Sequence, residues 1–313
     1  MNFKLSTAVV LIIFKRPSQT ERVFRMIEEA KPSRLYIIAD GPRNADEALL
    51  CQQTRQIGEN VNWDCEVQKN YSETNLGLRN RVISGLDWVF DREESAIILE
   101  DDCLPHPTFF PFCEELLKYY KACDQVMHIS GDNFLKGKMT FVESYYFSKY
   151  THVWGWATWR RAWCLFHRLE SEHSNLELDL QIFQTPSERN FWKTLLEQVC
   201  SHRMDYTWDY QWAITCLAHR GLCVMPASNL VSNIGFGSAA THTQESTWFT
   251  DLPAFPMDFP LRHPHQMEWD FDADQYSASY FFNATTFSWI EFVKAPLRRF
   301  VAGVKKIRKR YEL

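Results

Sequence analysis

Residues 96–102 read Ala96-Ile97-Ile98-Leu99-Glu100-Asp101-Asp102, four apolar positions that run straight into three acids. A short continuous apolar run closed by polar residues predicts a strand buried on both faces, the kind a parallel sheet uses. Two earlier stretches repeat the pattern. Leu35-Tyr36-Ile37-Ile38-Ala39 stops at Asp40-Gly41-Pro42, and Ala8-Val9-Val10-Leu11-Ile12-Ile13-Phe14 stops at Lys15-Arg16-Pro17. After the first of these strands in chain order, Ser18 is the expected helix N-cap, with Glu21 three residues on and an apolar stripe of Val23, Met26 and Ile27. Cys65-Glu66-Val67-Gln68 predicts another strand, and Asn75-Leu76-Gly77-Leu78 leads into a helix carrying Val82, Ile83, Leu86 and Val89. Strand and helix thus alternate through the first hundred residues, which predicts an α/β sheet with right-handed crossovers. Such sheets bind ligands at the carboxyl ends of their strands, where Asp40 and Glu100-Asp101-Asp102 both fall.

Beyond residue 105 the pattern loosens. A helix is expected near Phe109 to Tyr120 and a short strand at Val126 to Ile129, followed by Trp-rich segments. A Pro- and His-containing stretch from Pro253 to Pro264 is the best place for a boundary, giving a catalytic domain over 1–255 and a C-terminal extension over 256–313. With 313 residues, 45% of them hydrophobic, the chain has ample material for one large core. The 12 Trp concentrate in its middle and late parts, as suits a cleft that stacks sugars or bases.

Formal charge is -5, yet the last twenty residues carry +7, leaving -12 on the rest. An acidic body argues against nucleic acid as a partner, while the basic tail points to a separate anionic one. The tail interleaves Trp289, Leu297, Phe300, Val301 and Val304 with Arg298, Arg299, Lys305, Lys306 and Arg308, the pattern of an amphipathic helix on an anionic membrane. A C-terminal helix docked on the acidic body is the alternative. The apolar run at Ala8–Phe14 is too short for a signal core or a membrane span, and the nine Cys include no C-x-x-C pair. These features predict a cytoplasmic protein, peripheral on the inner membrane, with thiols in a reducing compartment.

Three adjacent acids cannot all be buried unpaired, because each uncompensated charge costs several kcal/mol or more. They face water, a cation or a ligand, and a divalent ion bridging carboxylate to phosphate oxygens solves the charge problem. An exposed turn after a strand is the bland alternative. Asp209 lies between Trp208 and Trp212, whose apolar surroundings raise a carboxylate's pKa and suit a general base. The same residue could simply cap a helix running through Trp212, Ile214 and Leu217, and Asp205 is a nearby competitor. Trp159 and Trp163, four apart, read as core. Trp154 and Trp156 flank Gly155, where a ligand can approach the backbone, and are expected in the donor or acceptor cleft. Ser232-Asn233-Ile234-Gly235-Phe236-Gly237-Ser238 is a Gly-containing loop suited to fold over phosphates, with His242 beyond it within reach of a diphosphate or metal.

The run Ile97 to Asp102, followed by Pro107, Phe109 and Phe110, resembles the acidic motif of GT-A glycosyltransferases. The likeness is to the N-acetylglucosaminyltransferase family that starts complex N-glycans and to bacterial family-2-like enzymes. It continues in order through Ile129-Ser130-Gly131-Asp132-Asn133, Val153-Trp154-Gly155-Trp156-Ala157-Thr158 and Trp208-Asp209-Tyr210-Gln211-Trp212. Tyr210 stands where that family has a second Asp. The resemblance implies a Rossmann-like mixed sheet flanked by helices, and Asp102 as ligand of Mn²⁺ or Mg²⁺, with Glu100 and Asp101 on nucleotide and sugar. It further implies Asp209 as catalytic base. Phe14 to Pro17, Asp40 and Asn75 to Arg79 resemble the family's nucleotide-binding elements, which places Arg16, Asp40, Asn75 and Arg79 on the donor. In chemical terms, Asp40 can accept from uracil or ribose, and Arg16 or Arg79 can pair with diphosphate.

The implied activity is inverting transfer from a nucleotide sugar, a UDP-sugar, to a saccharide or lipid-linked saccharide in bacterial surface polysaccharide synthesis. A sugar-phosphate nucleotidyltransferase of the same fold is the nearest rival, although Phe14-Lys15-Arg16-Pro17-Ser18 stands where a Gly-rich phosphate loop would be. A glycoside hydrolase would need two carboxylates across the scissile bond but no acid triplet. A non-catalytic carbohydrate-binding protein on the membrane surface leaves the triplet and Asp209 unexplained.

Overall fold

The computed structural model describes residues 5–170, 178–201, 203–204, 206–235 and 252–282. In chain order these form β1 (Ala8–Ile13), α1 (Pro17–Ala30), β2 (Arg34–Ala39), α2 (Ala45–Ile57), β3 (Glu66–Tyr71), α3 (Leu78–Phe90), β4 (Ser95–Glu100), β5 (Cys103–Pro105) and α4 (Phe109–Tyr119). Then follow β6 (Val126–Ser130), β7 (Tyr145–Ser148), β8 (Trp156–Trp159), α5 (Arg160–Glu170), α6 (Pro186–Cys200), α7 (Asp209–Ala218), β9 (Leu222–Pro226), β10 (Val231–Asn233) and α8 (Phe271–Tyr280).

Eight strands make one mixed sheet in the order β3-β2-β1-β4-β8-β6-β9-β7. The β3, β2, β1 and β4 ladders are parallel, and β6 pairs parallel with β9, while β8 and β7 run antiparallel to their neighbours. The predicted α/β class is therefore the observed one. Strand alternation sorts the apolar residues into two layers. Val9, Leu11, Ile37 and Leu99 pack with Val23 and Ile27 of α1 and Phe109 and Phe112 of α4 on one face. Val10, Ile38 and Ile98 pack with Val82 and Leu86 of α3, Trp163 of α5 and Trp212 of α7 on the other. Coverage of both faces is why these strands read as unbroken apolar runs.

The chain leaves β1 toward β2 and β3 on one side and returns to β4 on the other. The carboxyl ends of β1 and β4 thus flank a topological switch point, the place where open α/β sheets hold ligands. A second, two-stranded sheet pairs β5 with β10, Leu104 against Ser232, and brings Ile234 and Gly235 back against Asp102 just beyond β4.

Some local expectations change. Helix α1 begins at Pro17, whose fixed φ and missing N–H suit the first helical turn, so Ser18 lies inside the helix rather than capping it. Helix α2 has no apolar stripe strong enough to announce it. It is started by Asn44, whose side chain accepts from the Glu47 amide at 3.1 Å. Backbone continuity also runs across residue 255. Phe255 N–H donates to Asn229 O at 2.7 Å, Met257 N–H to Thr108 Oγ1 at 2.9 Å, and Asp270 N–H to Phe147 O at 2.7 Å. Residues 252–282 are thereby fastened to the sheet's β7 edge and to the β5–α4 connection. The basic segment 289–313 lies outside the described residues.

Candidate functional site

The switch point brings the loop after β1 onto the acids after β4. Arg16 Nη1 lies 2.5 Å from Asp102 Oδ2 and 3.2 Å from Asp101 Oδ1, and the Phe14 amide donates to Asp101 Oδ2 at 3.2 Å. Burial pushes the Glu100 carboxyl above the ordinary range, and the negative neighbours Asp102, Asp101 and Asp209 push it further, with Arg16 opposing. Asp101 is raised by burial and then by Asp102, against Arg16 and the Phe14 amide. The cluster holds more negative charge than its guanidinium offsets.

These residues line a cleft of about 360 Å³ that also includes Asp40, Arg43, Tyr206, the Asn75–Gly77 loop and the start of α3 from Leu78 to Val82. The structure thus gathers Arg16, Asp40, Asn75, Arg79, Glu100, Asp101 and Asp102 in one place. Their local roles differ. Asp40 accepts from the amides of Gly41, Leu76 and Gly77 and from Asn75 Nδ2, at 2.9 to 3.1 Å. Four donors fill the capacity of a carboxylate, so Asp40 shapes the 75–77 loop instead of offering a free acceptor to uracil or ribose. Arg79 Nη2 reaches Gln211 Oε1 at 3.2 Å and ties α3 to α7. Arg43 and the buried Arg81 add positive charge that the sequence pattern did not single out.

Asp209 is the first residue of α7, beside Trp208. Its Oδ1 accepts from the Thr207 hydroxyl and, at 2.9 Å, from the Tyr210 amide. Burial raises its pKa, while those two donors hold it down. Helix-start bonding and a raised pKa coexist in one carboxylate, and its charge is felt at Glu100. Asp205 lies outside the described residues.

Asp209 also lines a second pocket of about 110 Å³ with Trp154, which is not among the residues lining the cleft of the acid triplet. Trp156 is placed otherwise. It is fully buried in β8, its ring stacked on His128 and Trp208 at centroid distances of 5.3 and 5.4 Å, and it faces the core rather than the cleft. Gly155 does adopt φ +71, but the neighbours it admits are the side chains of Val231 and Leu99, so the glycine serves packing. Trp159 and Trp163 are core residues, as their spacing predicts.

Asp132 is the acid that went unassigned. It lies two residues beyond the end of β6, with Gly131 between, whereas Asp40 directly follows β2, so the strand-end rule that selected Asp40 passes over it. Its Oδ1 accepts from Ser130 Oγ at 2.6 Å and its Oδ2 from the Trp154 amide at 3.0 Å. Burial raises its pKa to about 7.

Among the described residues, no group of three or more His, Cys, Asp or Glu is arranged as a metal cage, and His242 lies outside them. A divalent ion that also binds substrate phosphates needs only one or two protein carboxylates. Asp102 and Asp101, hard oxygen donors in an undercompensated acidic cluster lining a cleft, fit that requirement. Gly235 presses on this spot: a Cβ there would stand 2.1 Å from Asp102 Oδ2, and the adjacent Ile234 amide donates to Asp102 O at 2.8 Å. Gly235→Ala is therefore expected to push the Asp102 carboxylate out of place and to weaken by about tenfold or more any Mn²⁺-dependent nucleotide binding in this cleft. Calorimetry with UDP and Mn²⁺ measures it, and unchanged affinity would detach the loop from the site.

No family model matches the chain, and no curated protein matches it. Solved structures do. UDP-glucose pyrophosphorylase complexed with UDP-glucose is 11% identical over 47% of this chain and 64% of its own, with a TM-score of 0.28. CMP:2-keto-3-deoxy-manno-octonic acid synthetase complexed with CTP is 12% identical over 63% and 87%, with a TM-score of 0.34. 4-Diphosphocytidyl-2C-methyl-D-erythritol synthase from Anaerococcus prevotii is 15% identical over 55% and 79%, with a TM-score of 0.30. The chain spans less than two thirds of the pyrophosphorylase's length. Likenesses this loose carry no argument about activity.

Proposed function

We propose that the chain is a divalent-metal-dependent glycosyltransferase that moves a sugar from a nucleotide-sugar donor, a UDP-sugar, to a saccharide hydroxyl with inversion. One observation carries the reading: an undercompensated acid triplet at the β1/β4 switch point, facing Arg16 in a cleft, with the desolvated Asp209 near enough to raise Glu100. Arg16, Arg43 and Arg79 bring positive charge to a donor diphosphate. When bound, Mn²⁺ or Mg²⁺ would supply neutralising charge for the departing nucleoside diphosphate. Asp209 takes the proton of the acceptor hydroxyl. The acceptor oxygen then bonds to the anomeric carbon as the bond from that carbon to the diphosphate breaks.

A sugar-phosphate nucleotidyltransferase is the second reading. Such an enzyme reacts at phosphorus and benefits from a loop rich in backbone N–H groups after the first strand. Here α1 starts directly at Pro17, which has no N–H to offer. The two readings differ in product. Incubation with Mn²⁺ and a panel of nucleotide sugars is expected to release nucleoside diphosphate, and Asp102→Ala to abolish that release and the Mn²⁺-dependent nucleotide affinity. Pyrophosphate release from a nucleoside triphosphate and a sugar phosphate would replace the first reading with the second. No product in either assay would leave a non-catalytic carbohydrate-binding protein.

No helix among the described residues is long and apolar enough to cross a membrane. Peripheral attachment through residues 289–313, and with it a lipid-linked acceptor, stays part of the proposal. Each basic residue near an anionic surface contributes about 1 kcal/mol. The full chain is thus expected to sediment with anionic vesicles at low salt and to leave them at high salt. Absence from anionic vesicles at low salt would remove the membrane from the reading, and equal recovery with neutral vesicles would remove the basic tail's charge as its cause.

A further inference from the structure

The smaller pocket is chemically unlike the donor cleft. Its walls are aromatic, and the rings brace one another. Phe134 meets Trp154 edge-on at 5.0 Å and stacks on Phe281 at 4.4 Å, while His152 stacks on Phe282 at 5.9 Å. Phe282 is backed in turn by Tyr150 at 4.9 Å. The polar groups are two carboxylates, Asp132 and Asp209, together with Thr151, Tyr210 and the His152 ring. Asp132 uses one donor on each oxygen and Asp209 two on Oδ1, so both keep lone pairs for hydroxyl donors. Burial holds the His152 ring neutral, with its pKa lowered to about 3. Among the described residues, none that lines the pocket is Lys or Arg.

Apolar walls with a few convergent acceptors are what a ligand with one apolar face and a hydroxylated edge requires. A pyranose has both. Among the described residues an anion would meet two carboxylates and no Lys or Arg, and losing its hydration there would go unrepaid. At about 110 Å³ the space takes one ring rather than a chain of them. We infer that this pocket seats the acceptor and that its occupant is an uncharged pyranose, not a uronic acid or a sugar phosphate. The inference rests on the glycosyltransferase reading and refines it. The phosphate of any lipid-linked acceptor then lies outside the pocket. Phe281 and Phe282, which follow α8, make the segment after residue 255 part of acceptor recognition.

Saturation-transfer NMR on the full chain tests this with methyl glycosides of glucose, galactose, mannose and N-acetylglucosamine, against methyl glucuronide, methyl galacturonide and glucose 6-phosphate. At least one neutral glycoside is expected to bind about tenfold or more tightly than every charged probe. Trp154→Ala and Phe282→Ala are each expected to weaken it about tenfold, with UDP affinity unchanged. Should either variant fail to fold by circular dichroism, Trp154→Phe and Thr151→Val take its place, with a smaller loss expected in the same direction. Absence of binding by all neutral glycosides, equal binding of a charged one, or affinity indifferent to the variants overturns the inference. Nucleotide binding and nucleoside diphosphate release in the same samples separate the two levels. Release without pyranoside binding sinks the acceptor pocket alone, whereas pyranoside binding without any nucleotide affinity sinks the transferase reading.

Discussion

Asp209→Asn is expected to lower turnover by about 10²- to 10⁴-fold while leaving nucleotide affinity nearly whole. The substitution is almost isosteric, and an amide oxygen can still accept from the Thr207 hydroxyl and the Tyr210 amide, so the start of α7 keeps its bonds. What disappears is the ability to take a proton. The pH profile adds a second readout. Burial raises the Asp209 pKa, so in the parent protein the base is lost to protonation as pH falls through that raised value, which puts the acid limb above the ordinary aspartate range. Residual activity of the Asn variant should lack that limb. Product configuration, read by NMR, should be inverted. An Asn variant with full turnover, or a product of retained configuration, would remove Asp209 from the role.

Much of this site was legible in the sequence because strand ends are legible. Buried parallel strands announce themselves as apolar runs, and the residue that stops each run sits at the ligand-binding edge, which located Asp40 and the acid triplet. Asp132 escapes that rule, because Ser130 closes β6 and Gly131 stands between them. What the rule cannot supply is a side chain's bonding state. Asp40 looks like a ligand acceptor in sequence, yet four internal donors consume it. Trp156 fails for a different reason: a glycine neighbour signals close approach of something, and here that is the Val231 side chain. The walls formed by Phe134, His152, Phe281 and Phe282 come from segments more than a hundred residues apart, and no local period encodes such a meeting. Pro and His interrupt the pattern around residue 255, and backbone hydrogen bonds join Phe255 to Asn229 and Asp270 to Phe147 there.

Lys149→Met is expected to cost about 3–5 kcal/mol of stability, measured by urea denaturation. Lys149 is 1% exposed, and its Nζ lies 3.1 Å from Glu188 Oε1 and 3.3 Å from Ile182 O. Glu188 also takes the Tyr150 hydroxyl and, at 3.0 Å, the Gln184 amide at the start of α6. Asp274 of α8 takes the Lys149 amide at 3.1 Å and the Ser148 hydroxyl. One buried cation thus serves two buried carboxylates that hold α6 and α8 against β7, and removing it strands both. The loss should grow with pH. Burial raises Asp274 to about 7 even with Lys149 opposing, and without the lysine the carboxyl rises further. A carboxyl whose folded pKa is raised binds its proton more tightly than in the unfolded chain, so stability falls as pH climbs from about 4 through that folded value. The penalty of Lys149→Met should accordingly be larger at pH 8 than at pH 5, and adding Glu188→Leu should recover part of it by removing one stranded charge. A penalty that is flat in pH, or a double variant less stable than the single, would show that Lys149 acts by packing its stem rather than by its charge. Because α8 leads directly into Phe281 and Phe282, loosening this ionic cluster should also weaken pyranoside binding, whereas any UDP affinity of the cleft at the ends of β1 and β4, which shares no residue with the cluster, should be unchanged.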